Sequence, residues 1–336
     1  MVQIIAFGQG RKCKSPRINL QSQLRAESWA KQRSTVAVNK LIRVYFHIVR
    51  NTDGSQAAAT IEDINNEFQD LIDDFDADNI CFANVGFDFI NNTAMNQSLD
   101  PDDEDDVAML HPFLVPNCIN IFYHQSLGEY GGNAYNIPNT FCSIDDGNIG
   151  LWSTISHEVG HCLGLLHTFS TATGEEYISG FNCALHGDRV CDTPADPYTE
   201  AACFSANNCN YTGNCEDPTG NTDYVPPYQN IMSYWGLGGC DPNHLTSGQF
   251  ARVNSFLQTD LNLITTVSPA TVGAGPGSFS SGYYFRTAHN SISINPSLNI
   301  TGSTIASLQS KSVTCPPGFL IAPTSGSITI KATCDY

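Results

Sequence analysis

The chain reads as an α/β protein (α+β in the placement of its parts) with a mixed sheet, an irregular half stapled by disulfides, and a small β module at its C-terminal end. Three observations predict this. Strand-like and helix-like runs alternate over residues 41–123 before a histidine-bearing helix, the order expected of helices packed on a sheet. Seven of the thirteen cysteines fall between Cys162 and Cys240, in a stretch without helical periodicity. From about Thr265 the chain turns to Ser, Thr, Gly and Asn with few charges.

Residues 41–49 (LIRVYFHIV) read as a strand bounded by the turn Asn51-Thr52-Asp53-Gly54, with His47 as a sheet residue. Thr60 then caps a helix whose Ile61, Ile64, Phe68, Leu71, Ile72 and Phe75 form one apolar stripe. Strands follow at residues 85–90 and 119–123. The acidic run at residues 100–106 lacks the spacing and glycine of an EF-hand and reads as a solvated loop. Thr246-Ser247-Gly248-Gln249 is a capping box, and Phe250, Val253, Phe256, Leu257 and Leu261 are the core stripe of a closing helix. Residues 291–294 and 327–330 alternate as strands, and Cys315 with Cys334 would staple the terminal module.

Chemistry concentrates in His157-Glu158-Val159-Gly160-His161-Cys162-Leu163-Gly164-Leu165-Leu166-His167. At 100° per residue, His157 and His161 share one helix face, while Trp152, Ile155, Val159, Cys162, Leu163 and Leu166 cluster opposite. Two imidazoles at i and i+4 can bind one tetrahedral zinc ion, but a straight helix cannot deliver a third. Gly164, free of a Cβ, can end the helix and let His167 turn back to the metal. Three neutral nitrogens leave the fourth position open for a water of lowered pKa, and Glu158 beside it is placed as general base. The pattern predicts zinc-dependent hydrolysis of peptide bonds. A closed structural zinc site would use four ligands, often cysteines, and has no need of the glutamate.

The segment from His157 to His167 matches the long zinc signature of the metzincin metallopeptidases, and Asn230-Ile231-Met232-Ser233-Tyr234-Trp235 looks like their methionine turn. With Gly187-Asp188-Arg189-Val190-Cys191-Asp192-Thr193-Pro194 between them, the chain most resembles the pappalysin (cytophagalysin) family, over roughly residues 39–262. The resemblance implies a metzincin-like catalytic domain with an active-site helix and a disulfide-rich lower subdomain. It implies Met232 as the apolar floor beneath zinc and Tyr234 as a hydrogen-bond donor to the tetrahedral intermediate. It implies calcium between the two motifs, with Asp192, Asp196 and the Thr199 carbonyl as oxygen ligands, and disulfides Cys191–Cys215 and Cys209–Cys240. Gly131-Gly132-Asn133-Ala134-Tyr135 resembles the edge strand above the cleft, along which an extended protein or peptide substrate could pair. Residues 236–241 are expected to wall the S1' pocket.

The net charge of -18 is unevenly spread: residues 1–50 hold ten of the fifteen Lys and Arg against one acid, Glu27, and the rest holds five against thirty-two acids. A basic leader should be drawn onto an acidic body, and an acidic body excludes nucleic acid as a natural partner. Residues 1–38 show no convincing periodicity and are expected to be a propeptide. Cys13, flanked by cations that favour its thiolate, is a candidate for the open zinc position in a latent form; a half-cystine or a free thiol are its alternatives. The expected divisions are therefore 1–38, a catalytic domain at 39–264, and a β module at 265–336. No apolar run reaches the ~20 residues of a membrane span. The cysteine count argues for an oxidising compartment, hence a secreted protein, although no signal peptide is visible. A monomer is expected. The rival expectation is a secreted adhesion or binding protein carrying an inert zinc-type scaffold.

Overall fold

The computed structural model describes residues 12–13, 16–32, 40–76, 80–151, 153–197, 206–207, 209–235, 240–281, 283–317, 320–323 and 327–331. Its centre is a six-stranded mixed sheet in the order β1-β6-β8-β5-β3-β4. These strands are β1 (Lys12–Cys13), β3 (Lys40–Arg50), β4 (Ile80–Asn91), β5 (Ile119–His124), β6 (Tyr130–Asn133) and β8 (Phe141–Asp145). All neighbours run parallel except β6 against β8. Every residue of β5 is buried, as a strand covered on both faces must be. One face carries Phe46, Ile121, Phe75 and Val159 in the main core, the other Phe122, Met95, Leu110 and Phe141.

Helix α2 (Ile61–Phe75) begins at a reciprocal capping box in which Thr60 Oγ1 accepts from Asp63 N and Asp63 Oδ2 accepts from Thr60 N. It buries Ile64, Leu71 and Phe75 but leaves Ile61 half exposed in its first turn. Helix α5 (Thr154–Cys162) is buried from Ile155 through Cys162; Trp152 of the expected stripe lies outside the described residues. Helix α6 (Ser247–Thr259) opens on the expected Thr246/Gln249 box, and Phe250, Val253, Phe256 and Leu257 pack into the same core as α5. The acidic run forms the short helix α4 (Glu104–Ala108), capped by Asp103. Among the described residues no helix is long and apolar enough to cross a membrane.

Two regions differ from what periodicity suggests. Helix α1 (Leu20–Gln32) lies within the first 38 residues, where no helical pattern is evident. It buries Ser22, Gln23 and Ala26 while Leu20 and Leu24 point outward, so the pattern is inverted and invisible to a hydrophobic reading. The C-terminal module is a three-faced parallel β-helix. Thr271–Ala274, Ser291–Ile294 and Ser312–Thr314 stack in parallel on one face, and two further faces repeat the arrangement. Helix α7 (Leu261–Thr266) leads into it, and Val267 bridges back to Ile42. The module is joined to the body by Arg43, whose guanidinium donates to the carbonyls of Asn117 and Thr265 and to Thr287 Oγ1.

The half-cystines correct one expectation. Cys191 pairs with Cys183, not with Cys215, because the turn-rich loop from 174 to 191 folds on itself and brings their Cα atoms to 5.0 Å; Cys215 is bridged elsewhere. Cys209 joins Cys240 across 31 residues, a closure that removes about 3–4 kcal/mol of chain entropy from the unfolded state. Cys315 is exposed and unbridged, so it does not form the expected staple with Cys334, which lies outside the described residues. The module is held by strand pairing instead.

Candidate metal centre and cleft

The zinc-type motif folds as its spacing requires. His157 and His161 stand one turn apart on α5, and the helix ends at Leu163. Gly164 then takes φ +98°, which L side chains rarely adopt, and a Cβ there would lie 2.1 Å from Phe256 Cδ2. The turn returns His167 to the other two. Its Nε2 lies 3.1 Å from His157 Nε2 and 3.0 Å from His161 Nε2, and the latter two are 3.1 Å apart.

These nitrogens are poised for a cation. His157 Nδ1 donates to the Ile231 carbonyl at 2.6 Å and His161 Nδ1 to the Leu165 carbonyl at 2.9 Å, so both rings are fixed with Nε2 bare. Burial pushes His157 down to about 4, and burial followed by the neighbouring imidazoles holds His161 and His167 well below the ordinary value. Neutral imidazoles whose lone pairs converge at about 3 Å repel one another without a positive ion between them. Tetrahedral zinc at ~2.0–2.1 Å from each nitrogen would open that triangle only slightly. The residues fit the metal. Among the described residues these three are the one converging group of metal-type side chains.

Around the triad stand the other expected residues. Glu158 is fully buried, and the edge strand presses so close that a Cβ on Gly132 would lie 2.3 Å from its Oε1. Met232 is fully buried, and its sulfur lies where a Cβ on Gly160 of α5 would come within 2.6 Å. The Tyr234 ring sits 4.8 Å from that of His167 and 5.8 Å from that of His157. Phe169 stacks on His167 at 4.7 Å and closes the ring of aromatics.

Asp196 has a different place from the one implied. Its Oδ2 accepts from Thr168 Oγ1 and from Ser233 Oγ, both at 2.6 Å, and its Oδ1 accepts from Trp235 Nε1 at 3.0 Å. It thus ties the residue after His167 to both flanks of Tyr234. Asp192 accepts from Thr246 Oγ1 and Gly248 N and so caps the start of α6. Each acid is already occupied by protein donors, so the implied calcium set has no converging group among the described residues; Thr199 lies outside them. The hub made by Asp196 was not readable in advance, because its three partners are 28, 37 and 39 residues away.

The N-terminal segment lines the cleft. β1 pairs in parallel with the edge strand, Cys13 opposite Gly132, and β2 (Arg17–Ile18) pairs with β7 (Asn136–Ile137). Pro16 and Ile18 wall a cavity of about 280 Å³ beside His167 and Phe169. The Cys13 side chain lies outside the described part of the structure, as do residues 236–239 of the expected S1' wall.

Residues 134–258 match the family model of peptidase M43, described as pregnancy-associated plasma protein-A. An extracellular metalloprotease of Podospora anserina is 28% identical over 237 residues, 64% of this chain and 72% of its own length. One from Neurospora crassa is 28% identical over 251 residues, 69% and 78% of the two chains, and one from Sordaria macrospora is 28% identical over 235 residues, 64% and 74%. The segment that holds the three converging histidines and the methionine turn thus matches the peptidase M43 (pappalysin) family, and the chain as a whole is similar to extracellular metalloproteases.

Proposed function

We propose that the protein is a secreted zinc endopeptidase made in a latent form. The observation that carries this reading is the triangle of bare Nε2 atoms, each 3.0–3.1 Å from the next, with the Glu158 carboxylate on the following helix position. His157, His161 and His167 would hold the metal, which would supply Lewis acidity and lower the pKa of the attacking water. Glu158 would act as general base toward the attacking water and would pass the proton to the departing amine. The Tyr234 hydroxyl donates to the oxyanion that develops on the former carbonyl. The Tyr130–Asn133 edge offers backbone groups to an extended substrate, the same groups that the leader now occupies. Met232 supports the histidines from below, and Gly164 permits the turn. Latency follows from the leader lying on that edge, and Cys13 is the residue whose sulfur would join the three histidines in a latent form. The relatives' extracellular names and the disulfides Cys183–Cys191 and Cys209–Cys240 favour export.

The test pairs metal analysis with cleavage of a denatured protein substrate after removal of the leader. One zinc per chain is expected, with activity abolished by a chelator. Glu158→Gln should keep the zinc and lose about 10²–10⁴-fold in turnover. A chain that binds no zinc, or whose Glu158→Gln variant cleaves at the original rate, would overturn the reading.

A further inference from the structure

We propose that α6 and the turn before Asp192 form a docking socket for the leader helix α1, which retains the leader after the chain is cut between residues 33 and 39. Glu27 is its latch. The inference rests on the reading of residues 1–38 as a removable leader, and it adds that release, not cutting, is the step that opens the cleft.

Glu27 is the single acid among the first fifty residues, which carry ten cations. If only net charge drew the leader to the body, this acid would be the residue to leave in water. Instead its Oε2 accepts from Arg189 Nη2 at 2.7 Å and its Oε1 lies 3.6 Å from Arg252 Nη1. The Glu27 side chain is 19% exposed and both arginine side chains only 6%. The Arg189 contact is a charge-assisted hydrogen bond and Arg252 adds a longer-range attraction, so removing the Glu27 charge would leave two largely buried guanidiniums without it. Arg252 also donates to Gln23 Oε1, and Ser22 Oγ donates to Asp260 Oδ2 at 3.2 Å. Gln23 is fully buried and Ala26 nearly so.

The chemistry of this face suits a partner that leaves. An apolar helix face would strand an apolar patch on the body when removed. Here the vacated surface is mostly polar and can be wetted, Ala26 being the α1 residue that joins the main apolar cluster, and Asp188, buried near Arg252, stays with the body. Arg252 Nε also donates to the Gly164 carbonyl at 3.0 Å, so the socket stands directly behind the turn that delivers His167.

The leader is therefore gripped twice, by short strand ladders on the cleft and by the latched helix behind it. Both grips lie on the N-terminal side of residues 33–39. A cut there leaves them on one fragment, and each raises the effective concentration of the other.

The test uses the full chain carrying Glu158→Gln, so that its own activity plays no part and the outcome is independent of the peptidase reading. A recognition sequence for a specific endopeptidase, flanked by Gly-Ser, is inserted between residues 33 and 39 and cut. Gel filtration and native mass spectrometry then follow the leader. The unsubstituted leader should remain with the body. Glu27→Gln, nearly isosteric, should dissociate at least tenfold faster, and Glu27→Lys faster still. Glu27→Lys combined with Arg189→Glu should recover retention that Glu27→Lys alone loses. Separation of the unsubstituted leader on cutting, or retention unchanged by both Glu27→Gln and Glu27→Lys, would overturn the proposal.

Discussion

Helices α5 and α1 both pack against the body, by opposite chemistry. α5 is buried along its length, with Ile155, Val159 and Cys162 in the main core. α1 buries Ser22, Gln23 and Ala26, half-buries Glu27, and turns Leu20 and Leu24 to solvent, each 51% exposed. An apolar face can be satisfied only by a permanent neighbour, whereas a polar face has water as an alternative partner. Helix α5 is thus fixed for good, whereas α1 is held mostly by contacts that solvent can replace.

The comparison breaks most sharply at the end of α5. Gly164→Ala must hold a Cβ at φ +98° and 2.1 Å from the Phe256 ring, and should destabilise the chain by about 3–5 kcal/mol. A lowered urea midpoint would record it, while an unchanged midpoint would mean that the turn is not as tight as described.

A second contrast is between buried acids. Glu27 has two guanidiniums, but among the described residues Glu67 on α2 has only Gly150 N at 2.6 Å and Tyr123 OH at 3.4 Å. Burial, with Asp70 nearby, pushes Glu67 up to about 7 from 4.5. The unfolded chain ionises first as pH rises, so stability should fall between about pH 4.5 and pH 7 and level off above, by about 3 kcal/mol. Glu67→Gln should flatten that part of the profile of melting temperature against pH; an identical slope would assign it to other groups.

Asp196→Asn places an amide among donors from Thr168, Ser233 and Trp235 and should cost about 1–3 kcal/mol. The zinc held by His167 should also be stripped at a lower chelator concentration. Equal chelator resistance would show that Asp196 does not reach the metal through Thr168.

The smallest effect sharpens the original contrast. Val159→Ala on α5 should cost about 2 kcal/mol, and Leu24→Ala on α1 less than about 0.5 kcal/mol. Equal losses in thermal unfolding would contradict the inverted burial of α1.

What could be read in advance follows the same division. The Thr60 and Thr246 boxes, the α5 face and the glycine turn are legible because local spacing encodes them. Helix α1 is not, since its buried side is polar. The Asp196 hub and the Cys183–Cys191 pair depend on how a long turn-rich loop returns on itself, which no short pattern records. The β-helix hides for a related reason: Thr271 pairs with Ser291 and Ser291 with Ser312, so each three- to five-residue strand finds its neighbour about twenty residues away.

That coil of rungs bears on the far margin of the central sheet. Gln309 donates to the Asn84 carbonyl of β4, and Phe285 packs with Tyr45, Cys81 and Val85. A bare strand margin invites foreign chains to add themselves. With β4 shielded by its own sequence, strand addition is left to the opposite rim, where Lys12–Cys13 pairs with Tyr130–Asn133 and Glu158 lies beneath Gly132.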